Sequence, residues 1–440
     1  MRFFQLEANG TNVRRELVAG VTTFAAMAYI LAVNPAILSA AGMDKGALIT
    51  ATALASALMT LLMALFTNYP IALAPGMGIN AFFAFTVCGA MKIPWQAALG
   101  LVFYSGLIFF LLSVSGVRKR LLSAIPRELK LAITCGIGLF IAFIGLKGGG
   151  VIASNPATFV TLGDLHQPGP WLVIGGIALT AILVQRQIPG AILIGILTIT
   201  LLGLVLHTTG ADGKPTPITP TPDALVALPA SLKPTFLQLD LAYFWQNWRV
   251  CLPVVLALLF VDLFDNMGTL IGVCQRAGLL DVDGNLPRIE RALTADATAA
   301  MVGSTLGTST VTSYIESAAG VEAGGRTGLT AITTAACFLL ALFFNPLIAI
   351  IPSVATAPAL VIVGIFMMQS AARLDLADFT KAVPAVIIML TMPLAFSIAE
   401  GMAIGFIVHA ALLLGIGRGR EVSPFGYALA LLCLAHLIHR

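Results

Sequence analysis

Apolar runs of about twenty residues recur along almost the whole of this 440-residue chain. A run of that length crosses a hydrocarbon core of roughly 30 Å as one helix. In lipid the backbone must satisfy its own hydrogen bonds, and for segments this long the helix is the structure that does so. The recurrence therefore predicts an all-α membrane protein. Composition agrees: 58% of residues are hydrophobic and 10% are Asp, Glu, Lys or Arg, against roughly 25% charged residues in soluble domains. A mean hydropathy of +0.97 would leave a soluble chain with a mostly apolar surface. The net charge of +4 does not suggest nucleic acid, because the basic residues lie between the apolar runs and form no separate patch. The six cysteines (Cys88, Cys135, Cys251, Cys274, Cys337 and Cys433) show no C-x-x-C or Cys/His spacing and read as free thiols packed at lipid depth. No metal or cofactor is expected. Residues 1–16 are polar, and the first apolar run is too long for a signal peptide, so it is expected to remain as a span.

The runs divide into two sets of seven. The first is approximately 17–41, 47–67, 72–90, 95–115, 127–146, 170–186 and 188–207; the second is 249–272, 291–307, 311–325, 327–350, 354–371, 381–398 and 399–416. The apolar tail Pro424–Ile438 reads as a further helix, spanning or interfacial, and stands outside the two sets. A linker, 208–248, carries Pro215, Pro217, Pro220, Pro222, Pro229 and Pro234 and reads as an external loop. With a cytoplasmic N-terminus, eighteen basic residues fall inside: Arg2, Arg14, Arg15, Arg118, Lys119, Arg120, Arg127, Lys130, Arg186, Arg276, Arg288, Arg291, Arg326, Arg373, Lys381, Arg418, Arg420 and Arg440. Six fall outside: Lys45, Lys92, Lys147, Lys214, Lys233 and Arg249. That asymmetry is the one the positive-inside rule demands. It places both termini in the cytoplasm and supports the even number of crossings. Seven spans per half make 1–207 and 249–440 repeats of opposite topology, and the fifth spans echo each other, ELKLAITCGIGLFIAF (128–143) against PALVIVGIFMM (358–368).

Two stretches resist a helical reading, and both are the third segment of their half. In Tyr69-PIALAPGMGIN-Ala81, Pro70, Pro75, Gly76 and Gly78 break a helix, and INAFFAF restarts one. In Gly307-TSTVTSYIESAA-Gly320 the β-branched hydroxyl residues favour a strand, and the small residues after Glu316 suit a helix start. Non-helical backbone at membrane depth is tolerated where it faces protein or a polar cavity. The acids concentrate in the same place. Most of the twenty carboxylates lie in loops, but Asp262, Asp265 and Glu316 lie within apolar segments, and Asp262 and Asp265, three apart, share a helical face. A carboxylate at that depth is costly and marks a pathway or a proton site. Asp296 and Glu400 read as structural. No Lys or Arg accompanies the three acids, so a neutral heterocycle that donates N–H groups suits the site better than an anion. Phe82, Phe83 and Tyr314 offer faces for such a ring. The five histidines (His166, His207, His409, His436 and His439) form no catalytic or metal motif, and His409 reads as a packed core residue. An enzyme is not expected.

The segments GVTTFAAMAYILAVNPAIL (20–38), YPIALAPGMGINAFFAF (69–85), FVDLFDNMGTLIGV (260–273) and GTSTVTSYIESAAGVEAGGRTGLTA (307–331) resemble the AzgA-like purine permeases, a branch of the nucleobase–cation symporters with the uracil-permease fold. The resemblance implies about fourteen membrane segments in a seven-plus-seven inverted repeat, split into core and gate domains. It also implies proton-coupled, elevator-type import of hypoxanthine, guanine or adenine across the bacterial inner membrane, and often a homodimer in the lipid. By that resemblance Glu316 and Asp265 bind substrate, Asp262 is a second acid of the branch and Asn80 is the polar residue of the third segment. Thr269 stands where uracil permeases carry a histidine, so a proton route through that histidine does not transfer. Phe82, Tyr314 and Ser317 complete the candidate binding set, and Asp262, Asp265 and Glu316 are the candidate proton carriers. An anion exchanger or channel of the same fold is the competing expectation.

The orientation has a direct test. A cysteine replacing Pro217 should react with an impermeant thiol reagent added to intact cells, whereas a cysteine replacing Lys119 should not; labelling at 119 inverts the topology.

Overall fold

A computed structural model describes residues 3–115, 126–209, 215–222, 224–280 and 286–438. Arg2, Arg118, Lys119, Arg120, Lys214, His439 and Arg440 lie outside the described residues. The first expected span is a broken helix, α1 (Val13–Met27) and α2 (Ile30–Leu38), interrupted at Ala28 and Tyr29. Asn12 caps α1 by accepting from the Arg15 backbone N–H at 3.0 Å. Then come α3 (Lys45–Thr67), capped by Asp44, a short strand β1 (Leu73–Pro75) and the helix α4 (Met77–Ala81), which continues as a π-helix over Phe82–Ala90. The first half ends with α5 (Trp95–Ser115), α6 (Arg127–Gly148), the hairpin β2 (Ile152–Asn155) and β3 (Phe159–Leu162), α7 (Pro168–Gln185) and α8 (Ala191–Val205).

The proline-rich linker is more ordered than a plain loop. It pairs β4 (His207–Thr209) with β5 (Pro215–Pro217) and ends in a single turn, α9 (Ala242–Gln246). The second half runs α10 (Trp248–Arg276), α11 (Ile289–Leu306), strand β6 (Val311–Ser313), α12 (Ser317–Glu322), α13 (Gly328–Ala341), α14 (Asn345–Ala349), α15 (Ser353–Met368), α16 (Phe379–Leu394) and α17 (Ile398–Gly415). The tail forms a helix, α18 (Pro424–Ile438), packed on α17 and α10. Among the described residues nine helices are long and apolar enough to cross a membrane, and the shorter apolar helices include Met77–Ala90, Ala191–Val205 and Phe379–Leu394, each on an expected segment.

The helices pack as two groups. In one, α5 lies on α10 and α11, α3 on α11 and α13, and α1 on α12 and α13. In the other, α6 lies on α15 and α16, α7 and α8 on α15, and α16 on α17. Two contacts hold them. In the first group Glu16 is fully buried: its Oε1 accepts from Arg326 N at 2.9 Å, and its Oε2 accepts from the backbone N–H and the hydroxyl of both Thr327 and Thr330, at 2.7–3.3 Å. One carboxylate thus takes the N–H groups of Thr327 and Thr330 at the start of α13, while Gly328 N donates to Asn68 Oδ1 and Leu329 N to the Thr327 hydroxyl. In the second group α6 crosses α15, the two helices whose sequences echo each other, glycine against glycine. A Cβ on Gly138 would stand 2.6 Å from the carbonyl oxygen of Gly364, and a Cβ on Gly364 would stand 2.5 Å from that of Gly138.

That crossing predicts a sharp difference between two glycines of α6. Gly138→Leu must push α15 away and should lower stability by about 1–3 kcal/mol, the usual cost of overpacking. Gly148→Leu, where an added Cβ meets nothing within 4 Å, should leave the melting temperature of the detergent-purified protein near that of the parent. Equal melting of the two variants would contradict the close crossing.

Candidate substrate-binding site

The two stretches that resist a helix meet. β1 and β6 pair antiparallel in the register Leu73–Ser313, Ala74–Thr312 and Pro75–Val311. Hydrogen bonds from Tyr314 N to Ala72 O (3.0 Å) and from Gly76 N to Thr310 O (2.9 Å) extend the pairing by one residue at each end. Gly76 is required there, since a Cβ would stand 2.7 Å from the Thr312 methyl. Three polar residues outside the strands complete the backbone's needs. The Thr60 hydroxyl of α3 donates to Leu73 O (3.1 Å) and accepts from Leu73 N (2.8 Å). Ala72 N donates to the Ser317 hydroxyl at 3.0 Å. On α10, Asn266 Oδ1 accepts from Ser313 N at 3.1 Å and from the Thr312 hydroxyl.

The acids take up two positions around this crossing. Asp262 and Asp296 are buried against it: Asp262 Oδ1 accepts from Asn266 Nδ2 at 3.0 Å, and Asp296 Oδ1 from the Ser313 hydroxyl at 3.0 Å. Asp296 Oδ2 has no hydrogen-bond partner among the described residues. Asp265 and Glu316 are only half-buried, and Asp265 lies within electrostatic reach of Glu316 and Tyr314. The space beside them is open. A Cβ on Gly268, one turn past Asp265, would meet nothing within 4 Å, and Ile315, next to Glu316, is 48% exposed. Among the described residues no Lys or Arg pairs with any of these four acids.

The other candidates sit behind this open side. Asn80 is fully buried and donates to Asn34 Oδ1 at 2.6 Å, while Asn34 Nδ2 donates to the Thr52 (2.7 Å) and Thr308 (3.0 Å) hydroxyls. Phe82 and Phe83 are buried in the apolar core, Tyr314 is buried with its hydroxyl donating to Pro75 O at 2.6 Å, and Thr269 is 7% exposed. Three residues outside the candidate set enter as well. Tyr29 donates its hydroxyl to Glu316 Oε1 from the break between α1 and α2. Asn266 follows Asp262 by one helical turn, a spacing that could have flagged it. Asp296, read as a structural acid, contacts the strand itself.

The profile of the Permease family matches residues 14–404. The adenine permease AdeP of Escherichia coli is 43% identical over 438 residues, covering 99% of this chain and 95% of that one. The guanine/hypoxanthine permease PbuG of Bacillus subtilis is 45% identical over 454 residues, covering 99% of each. The transmembrane domain of the cyanobacterial bicarbonate transporter BicA superposes with a TM-score of 0.67 at 17% identity, over 88% of this chain and 97% of that domain, which shows a shared fold and no more. With a full-length sequence match to named permeases, and two broken segments joined beside four acids that no Lys or Arg among the described residues neutralises, the chain is a multi-pass membrane transporter and belongs to the Permease family.

Proposed function

We propose that this protein imports purine nucleobases together with protons, with Asp265 and Glu316 receiving the base. The observation that carries this reading is a pair of half-buried carboxylates, on α10 and just ahead of α12, within electrostatic reach of each other and with no Lys or Arg partner among the described residues. Carboxylates accept and do not donate, so they suit a ligand rich in N–H groups. The same charges oppose bicarbonate or another anion, and the anion-exchanger alternative finds no cation here to support it. AdeP and PbuG, named for adenine and for guanine and hypoxanthine, favour a purine. Asp262, bound to the strand through Asn266, is assigned to proton transfer, with Asp265 and Glu316 as the other proton carriers.

The proposed movement is of the elevator type. The helix group holding β1, β6 and the acids acts as the moving core, and the group built on the α6–α15 crossing acts as the gate. In this reading residues 1–207 and 249–440 are inverted repeats, 208–248 is the external linker, the termini are cytoplasmic, and the protein works in the inner membrane, with a homodimer as the proposed assembly. A fold shared with a bicarbonate transporter is compatible with this cargo because the fold supplies the crossing and the side chains around it select the ligand.

Uptake of radiolabelled hypoxanthine into cells expressing the protein should be competed by guanine or adenine, rise as external pH falls and collapse with a protonophore. Competition by uracil alone, or sodium-dependent uptake indifferent to pH, would overturn the proposal. The acids should also separate by role. Glu316→Gln and Asp265→Asn should each weaken purine binding by about 1–3 kcal/mol, the range for a hydrogen bond to a charged group. Asp262→Asn should lose less affinity yet fail to accumulate substrate against a gradient. Calorimetry on purified variants beside uptake in vesicles reads both quantities, and parent-like binding by the first two variants would remove them from the site.

A further inference from the structure

We propose that Tyr29 is a positioning residue that holds the Glu316 carboxylate in the geometry that receives the substrate. The inference rests on the reading of Glu316 as a binding residue. Tyr29 lies where the first segment breaks, between α1 and α2, and its side chain is fully buried. Its backbone oxygen accepts from Ala32 N (3.1 Å) and Val33 N (3.0 Å), so α2 begins at this residue and fixes where the ring starts. The phenol then reaches Glu316 from a segment 287 residues away and donates to Oε1. Among the described residues it is the one side-chain hydrogen bond that Glu316 receives.

Three features make this more than packing. Glu316 is half-buried beside open space and stands just ahead of the six-residue helix α12, so without a partner its side chain would sample several rotamers. A phenol occupies one carboxylate oxygen and leaves Oε2 for a ligand N–H. The phenol is also neutral, so it orients the acid without cancelling the charge, as an Arg or Lys at the same place would. The break in the first segment thus does in this chain what a second-layer hydrogen bond does for a metal ligand: it selects one orientation of the group that binds.

Tyr29→Phe removes one oxygen and keeps the ring, so the core is preserved. Purine Kd should rise about three- to tenfold, the entropy of one side chain that must now be immobilised on binding. Infrared spectra of the substrate-free protein supply an arm independent of cargo. The carboxyl band lost in Glu316→Gln should shift in Tyr29→Phe, and should shift the opposite way when 3-fluorotyrosine, a stronger donor of the same shape, replaces Tyr29. An unmoved band, or parent-like Kd in Tyr29→Phe, overturns the proposal. A drop in melting temperature with the band unmoved also overturns it, because Tyr29 would then be packing only. If the parent binds no purine, the proposed cargo fails instead, and the infrared arm still decides whether Tyr29 holds the acid.

Discussion

Two strands of three residues, β1 and β6, set the terms for the rest of the molecule. Inside a membrane protein an unpaired peptide group is expensive, so a chain that interrupts two helices needs a partner for every N–H and C=O it releases. Here the interruptions supply partners to each other. What the pairing leaves over is taken by Thr60, Asn266 and Ser317, each from a different element. The position of these residues follows from that need. α10 and α3 must approach the crossing closely enough for a short side chain to reach the strand, and this brings Asp265, one turn from Asp262 on α10, within electrostatic reach of Glu316. The acids are gathered by the same arrangement that repairs the backbone.

Much of this was legible in the sequence, and the part that was not has a common cause. Pro70, Pro75, Gly76 and Gly78 announce a break, and β-branched hydroxyl residues ahead of Glu316 announce a strand, because both effects are local to the residues concerned. That the two breaks hydrogen-bond to each other in one register is a long-range fact with no local signature. Tyr29 stood in plain sight in MAYILAVNP, yet only the fold carries its hydroxyl to an acid 287 residues away. Asp296 read as a structural acid of LTADATAA, and which strand it supports was hidden because that strand belongs to the next segment. The linker shows a milder version: proline content argued for a loop, yet two of those same prolines, Pro215 and Pro217, flank Thr216 in the strand that pairs with β4. The π-helix over Phe82–Ala90 likewise left no mark that helical spacing could read.

The shared fold with BicA separates two questions that a resemblance tends to merge. Paired strands between two broken segments are a way of making an interior site, and they are indifferent to what occupies it. In the proposed reading the occupant is selected by the side chains around the crossing, which here include four acids with no Lys or Arg partner among the described residues. Burial divides the acids further. Asp262 and Asp296 are buried, bonded to Asn266 and Ser313, whereas Asp265 and Glu316 are half-buried, and Tyr29 donates to Glu316. A site reading based on residue type alone would treat all four alike.

The buried Glu16 bears on how the chain is assembled as it is made. Its five donors come from residues 310–314 positions later. At about 5–20 residues per second on the ribosome, those residues emerge on the order of tens of seconds after Glu16 itself. During that interval the carboxylate has none of its final partners and must remain hydrated, so the start of α1 cannot take its mature depth. β1 waits for β6 in the same way. These contacts of the first half are therefore completed late, when the second half arrives. Premature termination in the second half would leave an acid and an unpaired strand together in a segment already committed to the bilayer, a combination that quality-control proteases are well placed to detect.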